Sequence, residues 1–498
     1  MASLPLPSLT ALSWIALCAL PFLVIYWLLY PWYISPLRKV RGPWYAIYTK
    51  WWLAYKTWKG VRAYAIHELH LKYGPWVRIA PDEVSTSDSQ ALGPIYGVSS
   101  NFVKTEFYTY QLRGIPELFT MSDRKAHAKR RRELAHLFTM TTIKEYESIV
   151  SENVKTCMDL IAAQGRAGKS CNLYDWWHYL SMDIVCELSF GLTFDMLHHG
   201  TENTFIKDIY GLLPIEPVRW HFGFLNRYAH LAPFKFIRDA EACGVRTFEA
   251  ARNIVADYKE KPQRPGRKDL LQKMLLARDE DGQPLPDVEV DIQALAFMFA
   301  GAHTTSSSLT WIVWRIVRDP QIHRKLNEEL DAALSAEDRH AVPRHASIEN
   351  LTYLNCIVKE GLRIDTAIPG SVPRYVPRGG AYINGRYFPE RTIISAQAYT
   401  CHRDPVVFPD PDRFWPERWL DETPAMRKLY VPFGADGPRK CIGMHLAMME
   451  LRVILAALFH RFEVSFAELV TEESMRMHEL WLASPKGGKL DCVVKEKV

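Results

Sequence analysis

Cysteine and net charge are both scarce in this chain of 498 residues. Nine cysteines, an odd number, are too thinly spread for a disulfide framework and leave at least one thiol unpaired. A reducing compartment is therefore expected. The 61 Lys and Arg exceed the 56 Asp and Glu by only 5, and no basic run is long enough to grip a phosphate backbone, which argues against a nucleic-acid partner. No G-x-G-x-x-G follows a strand-like segment, so a dinucleotide fold is unsupported and any reducing equivalents must come from another protein. No repeat with a period of roughly 20–50 residues is visible, which argues against solenoids and propellers. The 26 glycines and 31 prolines are too few for a collagen-like or disordered chain.

Charge is absent before Arg38, and residues 11–30 form a nearly continuous apolar run. Twenty helical residues rise roughly 30 Å, the thickness of a bilayer's hydrocarbon core. Pro21 can kink such a helix without forbidding it. A cleaved signal peptide is the competing reading, but it would want a basic n-region and a shorter run ending in small residues. Arg38, Lys39 and Arg41 follow at once, so the positive-inside rule places the remainder in the cytosol. Residues 1–36 are thus expected to be a single-pass anchor and 37–498 a cytosolic domain. Trp44, Tyr45, Tyr48, Trp51, Trp52, Tyr55 and Trp58, interleaved with Lys50, Lys56 and Lys59, suit the headgroup layer; an ordinary buried helix is the alternative.

From about residue 60 to 335 the apolar spacing is mostly helical, as at 127–139, 174–190, 247–259 and 288–317. Residues 261–286, rich in proline and charge, read as a linker. Strand-like pieces occur at 76–79, 382–388, 392–396 and near the C-terminus. The expectation is a mainly α (α+β) fold, helix-rich with small β-sheets and no alternating βαβ units.

The most informative stretch is Pro432-Phe433-Gly434-Ala435-Asp436-Gly437-Pro438-Arg439-Lys440-Cys441-Ile442-Gly443, followed by a helical pattern from Met444. Cys441 lies between two glycines just ahead of a helix N-terminus, where free N–H groups and the helix dipole favour a thiolate. Gly437 and Gly443 let the backbone approach the sulfur, and Arg439 can pair with an anion beside it. A lone cysteine ligand with an arginine for carboxylates is what an iron porphyrin needs. The phrase resembles the haem-binding loop of the cytochrome P-450 superfamily, F-x-x-G-x-R-x-C-x-G, with one departure: Phe433 stands eight residues before Cys441, where the family has seven.

Three further stretches resemble the family in the expected order. Glu360 and Arg363 share one helix face, and with Arg418 in Phe414-Trp415-Pro416-Glu417-Arg418-Trp419 they resemble its buried Glu-Arg-Arg triad. Ala300-Gly301-Ala302-His303-Thr304-Thr305 resembles its oxygen-activation motif, with His303 in place of the usual acid. Gly301 is expected to open space on the helix, Thr304 to bond back or donate to oxygen, and His303 to shuttle protons. His127 and Arg131, one turn apart, and Arg374 resemble residues that reach the haem propionates, while Arg130 and Arg132 are expected to face solvent or a partner.

The resemblance implies a haem-thiolate monooxygenase, similar to fungal microsomal members, holding haem b through Cys441 in the endoplasmic reticulum membrane. It implies dioxygen, a lipophilic substrate and an NADPH-dependent flavoprotein reductase. The pocket is expected to include Phe297, Ala300, Ile368, Val372 and Trp481, with an entrance near residues 209–234, and a terpenoid, steroid-like or polyketide substrate of secondary metabolism would suit. The alternative is a haem-thiolate isomerase or dehydratase that rearranges a peroxide without a reductase.

Overall fold

Amphipathic and apolar segments become long helices, among them Met140–Arg166, Leu173–Phe190, Asp287–Arg318 and Met444–Arg461. Their ends carry their own signals. The Thr139 and Asn172 side chains accept the first free N–H groups of the first two, and Gly191 closes the second at φ 61°. Asp287 and Glu289 open the third and Arg315 and Arg318 end it, charges that suit its dipole. This third helix runs through the largest core, with Trp311 and Trp314 almost wholly buried. Along its middle, Thr304, Ser308 and Thr310 each donate a 2.8 Å bond to the carbonyl four residues back, which loosens the helix locally.

In this computed structural model, residues 9–109, 116–212, 215, 221–222, 234–260, 269–276, 278, 282–467 and 470–497 are described. The largest sheet runs Trp76–Ala80, Glu83–Thr86, Ile393–Ser395, Arg374–Tyr375, Val103–Lys104. Glu83–Thr86 pairs parallel with Ile393–Ser395, and the other neighbours are antiparallel. This sheet sets Lys104 directly opposite Arg374. A three-stranded sheet (Cys171–Asn172, Asp491–Glu496, Phe462–Phe466) and two hairpins complete a helix-rich fold with small sheets, as expected.

Several expected boundaries change. The strand expected at 382–388 is the hairpin Ala381–Ile383 and Arg386–Phe388, because Asn384 and Gly385 both take positive φ and reverse the chain. The expected linker 261–286 contains the helix Leu270–Leu276, seated on the core by Leu270, Leu271 and Met274; residues 261–268 lie outside the described ones. The helix expected at 247–259 runs Lys235–Glu260, and that at 127–139 runs Arg124–Ala135 before a 3-10 turn. Arg130, expected at the surface, is buried between Glu133 and Glu289, tying its helix to the start of the helix Asp287–Arg318. Most of the expected entrance, 213–214, 216–220 and 223–233, lies outside the described residues.

The apolar run forms the helix Leu9–Tyr33; the side chains of 9–19 lie outside the described residues. Among the described residues no helix is long and apolar enough to cross a membrane. Tyr48 fastens the end of the helix, donating to the Leu28 carbonyl at 3.0 Å and accepting from Trp32 Nε1 at 2.6 Å. In the helix Trp51–Trp58, Leu53, Ala54 and Thr57 are buried while Trp51, Tyr55 and Trp58 stay exposed.

Glu360 is fully buried and accepts five bonds: two from Arg363, and one each from Arg418 Nε, the Trp415 N–H and Trp419 Nε1, at 2.8–3.0 Å. Arg363 also donates to the His402 and Pro411 carbonyls. Burial and Arg363 hold His402 at a pKa of about 3, so its ring is neutral. Nδ1–H then donates to the Arg363 carbonyl and Nε2 accepts the Val431 N–H at 2.9 Å. Val431 directly precedes the cysteine loop, so a buried carboxylate positions that loop through two intermediaries. Replacing Glu360 with Ala strands two guanidiniums in the core and should lower unfolding free energy by about 3–5 kcal/mol in chemical denaturation; a loss below about 1 kcal/mol would show the triad to be dispensable.

Candidate active site

The cysteine loop and the helix Asp287–Arg318 face each other across a cavity of about 460 Å³. The Cys441 N–H donates to the Phe433 carbonyl at 2.9 Å, and the Gly434 N–H donates to Val431 O at 3.0 Å. Gly434 sits at φ 86°, so the extra residue is taken up in a loop whose closing bond still brings Phe433 to the cavity wall. A Cβ on Gly437 would lie 2.1 Å from the Tyr96 carbonyl, so only glycine fits there. Gly443 meets no such obstacle, and its N–H bonds the Cys441 sulfur.

The other described cysteines are also unpaired, and among the described residues no cluster of three or more His, Cys, Asp or Glu would hold a metal ion. Cys441 is a lone donor opening onto the cavity. Its pKa is raised rather than lowered: burial outweighs the Gly443 N–H and Arg131.

One corner of the cavity is crowded with positive charge. Arg374 Nη1 donates to Tyr108 Oη at 2.6 Å, and Arg439 Nη2 to the Ser122 carbonyl at 3.0 Å. Lys104 donates to the Phe119 carbonyl and lies over the Tyr108 and Phe119 rings. Burial and repulsion from Arg374 and Arg439 push Lys104 well below its ordinary pKa, and burial with Arg374 takes Arg439 to about 10. Burial and these same cations hold His127 near 3. Arg131 also lines the cavity, and its Nη1 donates to the Lys440 carbonyl at 2.7 Å, beside Cys441.

Across the cavity, Thr304 donates to the Ala300 carbonyl at 2.8 Å, and both residues line the wall. Phe297, Ile368, Val372 and Trp481 line it as expected. His303 does not. Its Nδ1 lies 3.3 Å from Tyr210 Oη, and burial lowers its pKa to about 4. The proton-shuttle expectation is corrected accordingly: the ring is neutral and turned into the core. Gly301 also differs. A Cβ there would meet Val185 Cγ2 at 2.7 Å, so the glycine serves close packing against the helix Leu173–Phe190 as well as the cavity.

The family model for cytochrome P450 matches residues 42–491. This chain belongs to the cytochrome P450 family. It is similar to cytochrome P450 monooxygenase tazI of Aspergillus terreus, 35% identical over 93% of this chain and 94% of that protein. It is also similar to benzoate 4-monooxygenase bphA of Aspergillus niger, at 30% over 95% and 96%. Cytochrome P450 monooxygenase stcB of Emericella nidulans matches at 31% over 91% and 87%. A cytochrome P450 monooxygenase carries haem on a cysteine thiolate, and the residues fit that group. Lys104 and Arg374 are like charges placed directly opposite on paired strands, with Arg439 beside them; the Glu117 carboxylate acts on Lys104, and further anions would suit the corner. The two propionates of haem supply such anions.

Lys104, Tyr108, Phe119, Phe299, Thr305 and Glu450 also line the cavity or touch its walls and were not legible in advance. Thr305 Oγ1 donates to Glu450 Oε2 at 3.1 Å, and burial raises the Glu450 carboxyl to a pKa of about 8. The folded protein therefore holds a proton that the unfolded chain releases near pH 4.5, and Glu450 lowers stability as pH rises from about 4.5 to about 8. Glu450→Gln should remove this component. Its melting temperature should gain on the parent steadily over that window, by the equivalent of at most a few kcal/mol; a pH-independent difference would contradict the assignment.

Proposed function

We propose that this cytochrome P450 is a haem-thiolate monooxygenase that oxidises a lipophilic small molecule with dioxygen and electrons from an NADPH-dependent flavoprotein reductase. The observation that carries the reading is the meeting, on one cavity, of the lone Cys441, a corner of mutually repelling cations and the helix bearing Thr304. Haem b, when bound, supplies dioxygen activation and transfer of oxygen to carbon. Cys441 would hold its iron through sulfur, and Lys104, Arg374 and Arg439 would neutralise its carboxylates. Arg131 and the Phe433 carbonyl hold the cysteine backbone in place. Thr304, with its hydroxyl at the cavity wall, can turn its hydrogen bond inward when it lets go of the Ala300 carbonyl, and so orient a proton donor such as water there. Phe297, Ala300, Ile368, Val372 and Trp481 exclude water and receive an apolar substrate. A terpenoid, steroid-like or polyketide intermediate of secondary metabolism fits such a lining.

The reductase docks on the cysteine side, where Lys440 and Arg132 carry positive charge toward the surface, while Arg130 is buried in its pairs with Glu133 and Glu289. Residues 1–36 anchor the chain once in the endoplasmic reticulum membrane, and 37–498 form the cytosolic domain. The apolar helix Leu9–Tyr33 supports this, as do the exposed rings of Trp44, Trp51, Tyr55 and Trp58, with Lys59 over Tyr55 and Trp58.

Co-expression with a reductase, followed by mass spectrometry of lipophilic extracts, should reveal a product one oxygen heavier than its precursor. Product that forms equally well without NADPH and reductase would favour the rearranging alternative. Thr304→Ala should lower product formed per NADPH consumed by on the order of tenfold or more, with hydrogen peroxide appearing in its place; unchanged coupling would remove Thr304 from the chemistry.

A further inference from the structure

The hairpin Met477–Leu480 and Leu482–Pro485 reverses through one residue, because Leu480 pairs with Leu482. That residue is Trp481, and its φ is +81°. L side chains avoid this left-handed region, and glycine or asparagine is the usual occupant, as at Asn384 and Gly385 in the other hairpin. Such strain persists only where the surroundings over-determine it. Here they do. The Glu479 N–H donates to the Gly60 carbonyl at 2.9 Å, the Ala483 N–H donates to the Ala367 carbonyl at 2.9 Å, and the Glu479 carboxylate accepts the Ala63 N–H at 2.8 Å. The hairpin is clamped on both sides of its tip, and the indole is held on the cavity wall.

The indole also has ordered company. Its plane lies within 8° of the Phe299 ring at 6.3 Å between centroids, and the Phe119 ring is 5.2 Å away. All three line the cavity, and none is fully buried, so the group keeps free ring surface toward that space. Phe299 stands five residues before Thr304 on the same helix, a rise of about 7.5 Å, so the wall borders the place where oxygen chemistry is expected. Near it, the Gln293 side-chain oxygen already accepts the Leu118 N–H at 3.0 Å. Ring faces are what these three side chains offer a ligand along this wall.

We propose that the substrate is a flat, fused-ring aromatic molecule, and that Trp481, held in a strained turn beside Phe299 and Phe119, selects it by stacking. The inference rests on the oxidising role proposed above and narrows its substrate class. Offset stacking adds to what area burial alone contributes, so each stacked ring raises affinity by about two- to tenfold over a puckered ring of the same skeleton.

The test is equilibrium binding of hydroxyphenanthrene and its fully hydrogenated analogue to the purified full-length holoprotein, read by calorimetry and by the haem absorption shift. The unsubstituted protein should bind the flat compound at least about tenfold more tightly. Trp481→Phe should keep most of that ratio, and Trp481→Ala should reduce it to about twofold or less. Equal affinities for the two compounds, or a preference that survives Trp481→Ala, would overturn the proposal. Thermal melting gives a second reading: Trp481→Gly should melt above Trp481→Ala, because only glycine accepts the left-handed turn without strain, and the reverse order would contradict the strained placement. Calorimetry does not depend on turnover, so a protein that failed to oxidise anything would sink the oxidising role while leaving the binding ratio measurable.

Discussion

The placement of one sulfur atom depends on a carboxylate that never touches it. Glu360, wholly buried, gathers Arg363, Arg418, Trp415 and Trp419, and Arg363 passes the order on through His402 to the Val431 amide. From Val431 the chain has little freedom before the Cys441 N–H closes on the Phe433 carbonyl. Such an arrangement is costly to assemble and costlier to break, because each member would be left as an unpaired polar group in the core. It makes the loop a fixed support even though its tip is rich in glycine and proline.

The opposite requirement governs the cation corner. Lys104, Arg374 and Arg439 come from three distant parts of the chain, and a shared sheet brings the first two face to face. Burial first, and then their mutual repulsion, lower the proton affinities of Lys104 and Arg439. A prosthetic group with two carboxylates would offset that repulsion, and this corner and the sulfur would then be complementary halves of the proposed binding site. The helix Asp287–Arg318 supplies the third side. Several of its hydroxyls bond back along the helix, and Thr304 and Ser308 among them line the cavity.

How much of this was legible in the sequence follows from the range of each interaction. The cysteine loop, Glu360 with Arg363, and the segment around Thr304 are local phrases, and local phrases could be read. Arg418 could be read only because it completed a known pattern. Lys104 and Tyr108 carry no phrase of their own; only the pairing of Val103–Lys104 with Arg374–Tyr375 reveals them. Arg130 looked like a solvated charge because Glu289, its partner, is 159 residues away. His303 occupies the position of a proton donor in the linear pattern, yet it turns toward Tyr210, a residue no local spacing links to it. The helix Leu270–Leu276 hid in a stretch whose prolines and charges outweighed seven apolar-patterned residues. The hairpin at 381–388 was mistaken for one strand although Asn384-Gly385 carried the turn signal.

The central claim is that Cys441, as thiolate, is the protein's bond to haem iron. The most direct measurement is the absorption spectrum of the ferrous carbonyl complex of the purified full-length protein, compared with that of Cys441→His. The account predicts the strongly red-shifted band of a thiolate-bound haem in the unsubstituted protein and its loss in Cys441→His. A band at the position of histidine-bound haem in the unsubstituted protein, or identical spectra for the two, would contradict it.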